Sequence, residues 1–183
     1  ASSLGLTMLW PKRFPGVHMR DWAHDEDRQV DHVIGSCSLI RRHVWHRLRG
    51  MDERFFVYLE DLDFSLRARE AGWNTWFLAS ADVYHRGGGT SEQVKATRLF
   101  YSLRSRLHYA AKHFDALGAS LVALGALVVE PVTRVGGAIL TWQWKTVGET
   151  LRAYAALYPD LPAMVSTVMR LRRRDGDVEV GTT

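Results

Sequence analysis

The stretch Phe55-Phe56-Val57-Tyr58-Leu59-Glu60-Asp61-Leu62-Asp63 limits what this chain can become more than any other. An apolar, aromatic, strand-like run ends in three carboxylates within four positions, and a helical pattern follows from Asp61 to about Ala71. Strand ends feeding helix starts are where open α/β sheets place their ligands. A helix N-terminus carries partial positive charge, so ionised carboxylates are stabilised there. Successive helical residues diverge by about 100°, so Glu60, Asp61 and Asp63 must divide their work. One is expected to face a cleft as a base, one to hold backbone or substrate, and one to pair locally. Asp63 and Arg67 have the i,i+4 spacing of a helix-surface pair. The plainer alternative is that all three acids only cap the helix and complement its dipole.

Such a junction needs a core to hold it. With 183 residues and 46% hydrophobic content the chain has enough for one domain or a little more. Its formal net charge of +4 is too small an excess to imply nucleic acid. The bases are scattered and match no nucleic-acid-binding module, so no nucleic-acid partner is expected. The single cysteine, Cys37, excludes an internal disulfide and is expected to be a small buried hydrophobe. Residues 1–10 lack the basic and long apolar regions of a signal peptide, which points to the cytoplasm.

Residues 1–28 read as an irregular lead-in punctuated by Pro11, Pro15 and Gly16, with Trp10, Phe14 and Trp22 pinning a loop or lining a pocket. Residues 29–40 read as a strand unit interrupted at Gly35-Ser36, a step that suits a bulge or a close approach to ligand. A short helix from Arg41 to Arg49, capped by Gly50, leads back to the acidic junction. Beyond it, 73–79 and 81–84 read as strands, and His85 precedes the glycines 87–89. Such a loop can approach an anion, and a histidine beside it can ligate a metal; a flexible connection and a structural histidine are the alternatives. Leu99, Leu103 and Leu107 mark a helix over 97–114. Its bases Arg98, Arg104, Arg106, His108 and Lys112 suit a solvated face, phosphates or acidic lipid. The apolar run 116–129 is expected to stop at Glu130-Pro131, too short to span a bilayer and better suited to burial or a membrane interface. Trp142 and Trp144 stand where interfacial aromatics would. A helix over 147–158 is expected to break at Pro159 to Pro162, and Arg170, Arg172, Arg173 and Arg174 suit an anionic membrane face. Residues 115–174 thus form a helical, membrane-associated appendage, and 175–183 a disordered tail.

Taken together, Val30-Asp31-His32-Val33-Ile34-Gly35-Ser36-Cys37-Ser38-Leu39-Ile40-Arg41-Arg42, Gly50-Met51-Asp52-Glu53-Arg54-Phe55-Phe56, Tyr58-Leu59-Glu60-Asp61-Leu62-Asp63, Leu66-Arg67, Ala71-Gly72-Trp73 and His85 with its glycines carry a resemblance. In this order and spacing they resemble the second half of a family 2 inverting glycosyltransferase of GT-A fold, nearest the bacterial rhamnosyltransferase-like branch. The resemblance covers roughly residues 29–112. It implies an α/β fold, the second half of a GT-A-type mixed-sheet domain over 29–114 followed by C-terminal helices.

The resemblance also implies roles. Asp61 would be the general base, Glu60 would orient it or hold the acceptor, and Gly35, Ser36 and Asp63 would contact substrate. His85 would help hold a divalent cation, Mg²⁺ or Mn²⁺. The partners implied are a nucleotide-diphosphate sugar donor and a glycan or lipid-linked glycan acceptor, with rhamnose a candidate sugar. The implied place is the inner face of the cell membrane. The family's nucleotide-binding half and its Asp-x-Asp motif are not recognisable before residue 29, since Asp25-Glu26-Asp27 lies too close to the following unit. That half is therefore expected in cis or on a separate chain. A catalytically silent half-domain, used for binding or membrane docking, is the alternative. A glycoside hydrolase fits poorly, because its two carboxyls flank the sugar roughly 5–9.5 Å apart.

Overall fold

The computed structural model describes the backbone of residues 22–85 and 94–180, with side chains through residue 166. The lead-in before residue 22, the triglycine, the side chains of Arg170, Arg172, Arg173 and Arg174, and residues 181–183 lie outside the described residues. Among the described residues the fold is mixed α/β, mostly helical with one two-stranded sheet. It divides into two compact units. One comprises Ala1–Glu53 and Leu59–Gly89; the other comprises Arg54–Tyr58 and Thr90–Thr183.

In the first unit, β1 (Arg28–Val30) pairs antiparallel with β2 (Thr75–Phe77), with Gln29 opposite Trp76. Both strands are shorter than their apolar patterns suggest. Gly35 and Ser36 lie in a turn, and residues 81–85 take no regular structure. Helix α1 (Arg42–Arg47) and helix α2 (Glu60–Glu70) enclose a small core of Val44, Phe64 and Ala68, with Ile40, Leu48, Met51 and Trp73 against it. The turn after α1 needs Gly50: its φ is +70°, and a Cβ there would meet Trp45 Cζ2 at 2.9 Å. Helix α2 ends in a Schellman motif. Gly72, at φ +87°, donates to Arg69 O, and Trp73 donates to Ala68 O. Cys37 is exposed, contrary to the burial expected of it, because its apolar neighbourhood forms a turn and not a strand.

The second unit is helical: α3 (Lys95–His113), α4 (Ala116–Leu124), a π-helical segment (Gly125–Val129), α5 (Glu130–Leu140) and α6 (Trp144–Val180). Asp115 caps α4 by accepting from Gly118 N. Leu103, Leu107, Ala126, Tyr154, Leu157 and Met164 form the core. Residues 54–58 pack on α3. Phe55 meets the His108 ring edge-on, and Ser105 Oγ donates to Val57 O. The apolar run that looks like a strand is therefore irregular backbone that buries Phe55 against a helix and leaves Phe56 exposed.

Two expected helix stops are absent. Residues 116–140 form one continuous 25-residue helix through Glu130-Pro131. Pro131 has no N–H for the preceding turn. The carbonyls left over by the π segment and the proline are met from α6: Tyr154 Oη donates to Ala126 O at 2.8 Å, and Tyr158 Oη to Leu127 O at 2.9 Å. Likewise α6 runs through Pro159 and Pro162. Burial of Leu157 and Met164 on either side, and the Arg104–Asp160 ion pair at 2.8 Å, outweigh the local cost of proline. Glu130 is 2% exposed and takes both Arg106 and Arg134 at 2.7 Å. Burial alone would raise its pKa; the two guanidiniums more than reverse that and hold it below the ordinary carboxylate value.

Candidate active site at the start of the acidic helix

The acids enter α2 through strained backbone. Tyr58 and Leu59 both have left-handed φ, +69° and +65°. For bulky side chains that conformation costs about 1–3 kcal/mol each and concentrates at functional sites. Two such residues in succession swing the chain into the helix, which starts at Glu60. No local signal in the sequence announces this, since neither residue type favours left-handed backbone.

Asp61, on the first turn, is half-buried. Its Oδ2 accepts from Gly35 N at 2.8 Å and its Oδ1 from Leu62 N at 2.7 Å. The Gly35-Ser36 turn thus aims a backbone donor at the carboxylate from 26 residues away. Gly35 has room there: an added Cβ would sit 3.5 Å from Asp61 Cβ, an ordinary contact. Ser36 is exposed.

Glu60 differs from its neighbour. Its Oε2 is buried and has no hydrogen-bond partner among the described residues. Burial raises its pKa, a backbone hydrogen bond partly opposes this, and the charge of Asp61 adds to the rise.

Asp63 is 0% exposed and accepts from Arg67 Nε at 2.7 Å. The same guanidinium donates to Leu48 O at 2.8 Å and Gly50 O at 2.9 Å, and lies over the Phe64 ring. One arginine therefore ties the helix carrying Asp61 to the end of α1. The local-pair role expected of one acid falls to Asp63, and any influence of Asp63 on substrate passes through the helix it anchors. The i,i+4 spacing announced the pair; nothing local announced the two carbonyls.

His85 is exposed. Among the described residues no group of three His, Cys, Asp or Glu side chains could hold a metal ion. His85 supplies one donor where a divalent cation takes about six ligands, so the described residues by themselves do not form a cation site.

With this geometry in hand, comparison with known proteins is decisive at the family level. Residues 6–112, more than half of the chain, match the profile described as glycosyltransferase like family 2. The chain belongs to this family. Among curated glycosyltransferases, the N-acetylglucosaminyl-diphospho-decaprenol L-rhamnosyltransferase of Mycobacterium tuberculosis is 32% identical over 92 residues, 50% of this chain and 30% of that protein. The galactofuranosyltransferase GlfT2 of the same organism is 31% identical over 95 residues, 52% of this chain and 15% of that protein. The rhamnosyltransferase WbbL of Escherichia coli K12 is 28% identical over 86 residues, 47% of this chain and 33% of that protein. The chain therefore spans a third or less of the length of these glycosyltransferases. No solved structure matches it significantly. The matched region contains the acidic helix, Gly35 and the Arg67 clasp.

Proposed function

We propose that the chain is the acceptor-side, base-carrying half of an inverting glycosyltransferase of GT-A type. One observation carries this reading: a carboxylate, Asp61, is fixed at a helix N-terminus by two backbone N–H groups, inside the region matched by the family. Each Asp61 oxygen accepts one of those bonds and retains capacity for another. A sugar hydroxyl is a weak nucleophile at neutral pH and needs a base within hydrogen-bond reach.

In the proposed step the acceptor hydroxyl gives its proton to Asp61 while its oxygen bonds to the anomeric carbon of the donor. The bond from that carbon to the nucleotide diphosphate breaks, and the electron pair leaves with the diphosphate. Attack from the opposite face inverts the centre. Glu60 orients the base or holds the acceptor, and the Gly35-Ser36 turn lies against the sugar. A divalent cation, Mg²⁺ or Mn²⁺, would neutralise the leaving diphosphate. His85 is a proposed ligand, and its co-ligands must come from outside the described residues, so no step here is routed through the ion.

The rhamnosyltransferases among the relatives support rhamnose as the sugar and a cell-wall or surface polysaccharide precursor, glycan or lipid-linked, as acceptor. The nucleotide-binding half is proposed to act in cis or as a separate chain, at the inner face of the cell membrane. Transfer from nucleotide-diphosphate sugars by the intact protein tests the reading. Asp61→Asn is expected to lower kcat by roughly 10²–10⁴-fold per folded molecule, while costing only the one backbone hydrogen bond that an amide cannot replace, about 1 kcal/mol. Near-parental turnover in that variant would remove Asp61 as the base.

A further inference from the structure

The continuous helix 116–140 is long and apolar, yet little of it is covered by the protein. Its exposed side chains are ordered. Leu117, Leu121, Leu124 and Val128 recur at steps of four, three and four, which places them on one face. Val132, Ile139 and Leu140 continue the exposure beyond the π segment. Trp142 and Trp144 follow at once, 79% and 59% exposed. Contiguous apolar surface of this kind marks an interaction site.

The other side of the same helix is committed. Ala123, Ala126 and Leu127 pack against the core around Leu103, Leu107 and Leu157. Glu130 is bound by Arg106 of α3, and the Ala126 and Leu127 carbonyls by Tyr154 and Tyr158 of α6. At about 1.5 Å per residue the helix could cross the roughly 30 Å of hydrocarbon in a bilayer. Crossing would carry α3, with Arg98, Arg104, Arg106 and Lys112, into the hydrocarbon, and charged side chains are the most costly there. One-sided burial instead matches a helix lying in the membrane plane with its apolar face sunk into the headgroup boundary.

Charge selects the surface. Between residues 94 and 166 Lys and Arg outnumber Asp and Glu two to one, and exposed Lys145 and Arg152 lie just beyond the tryptophan pair. Tryptophans prefer the headgroup level, and basic residues are drawn to anionic lipid.

We propose that the face Leu117–Leu121–Leu124–Val128, closed by Trp142 and Trp144, is an in-plane docking surface for an anionic phospholipid bilayer. This deepens the proposed action at a membrane but is independent of the transfer chemistry. The test is sedimentation of the purified chain with large unilamellar vesicles of phosphatidylcholine alone or mixed with phosphatidylglycerol. The parent is expected to sediment with the mixed vesicles, to be released by alkaline carbonate, and to show blue-shifted tryptophan emission that Trp142→Phe/Trp144→Phe removes. Leu117→Gln/Leu121→Gln/Leu124→Gln/Val128→Gln is expected to weaken binding at least tenfold with an unchanged circular dichroism spectrum. Should that variant lose helix, Leu121→Gln with quenching by brominated lipid gives the same reading, as reduced quenching. Parent protein left in the supernatant, unaltered binding by the variants, or resistance to carbonate would each overturn the proposal. So would a vesicle-indifferent dimer that the same substitutions disperse, since a second copy would then own the face. Asp61→Asn is expected to bind vesicles like the parent, so failure of the docking and failure of the base remain distinguishable.

Discussion

The two units hold themselves together by opposite means. Among its described residues the unit bearing the candidate site has a core cluster of three buried apolar side chains and is fastened by polar links, above all Asp63–Arg67 to the Leu48 and Gly50 carbonyls. The helical unit interdigitates Leu103, Leu107, Ala126, Tyr154, Leu157 and Met164, and its polar links, such as Arg104–Asp160, Ser105–Val57 and Tyr154–Ala126, are added to that larger apolar core. The difference teaches where precision is needed. Hydrogen bonds fix angles as well as distances, and a base must be held in one orientation. Apolar packing is non-directional, which suffices for a platform.

That contrast can be broken or sharpened by experiment, beginning with the largest effect. The loss of kcat from Asp61→Asn should have no counterpart in the helical unit: Leu157→Ala should leave turnover per folded molecule unchanged. Next, Asp63→Ala leaves Arg67 without its buried partner. It is expected to cost about 3–5 kcal/mol in urea unfolding, and to lower kcat in the folded fraction. If kcat per folded molecule holds, the clasp does not position Asp61. Leu157→Ala itself should cost about 2–5 kcal/mol, with the exact value set by how far the cavity collapses. A loss well below that range would mean that this core is not what holds the helical unit.

The smallest effects concern pH, and they differ in sign. The pKa of Glu130 is lowered in the fold, so its contribution is fully present above the unfolded value and lost as pH falls through the folded one. Glu130→Gln should therefore flatten the acid limb of the stability curve. The pKa of Glu60 is raised, so it carries a penalty at neutral pH that is relieved as pH falls through its folded value. Glu60→Gln should slightly stabilise the protein at pH 7 and change little at low pH. Melting temperatures across pH 3–8 for both variants check the pair. The same slope for both would contradict the opposite surroundings described for the two carboxyls.

Local chemistry was legible where it is self-contained. The leucines at 99, 103 and 107 fall on one helical face whatever surrounds them, and α3 forms there. Gly72 ends α2 through bonds to its own last turn. Asp63 reaches Arg67 one turn along, so that pair could be read from spacing. The run 55–58 misled because aromatic and apolar content suits a strand and an irregular segment packed on a helix equally. Cys37 misled for the same reason.

The sequence by itself therefore determined the acidic helix start, the apolar repeat of α3 and the family to which the chain belongs. Only the tertiary structure decided that Gly35 aims its N–H at Asp61, that Arg67 closes on two distant carbonyls, and that the apolar helix continues through Pro131. In each case the deciding donor or acceptor comes from far along the chain: 26 residues between Gly35 and Asp61, 28 between Tyr154 and Ala126. A polar group out of water must find a partner, but nothing in its neighbours along the chain says which distant one folding will bring.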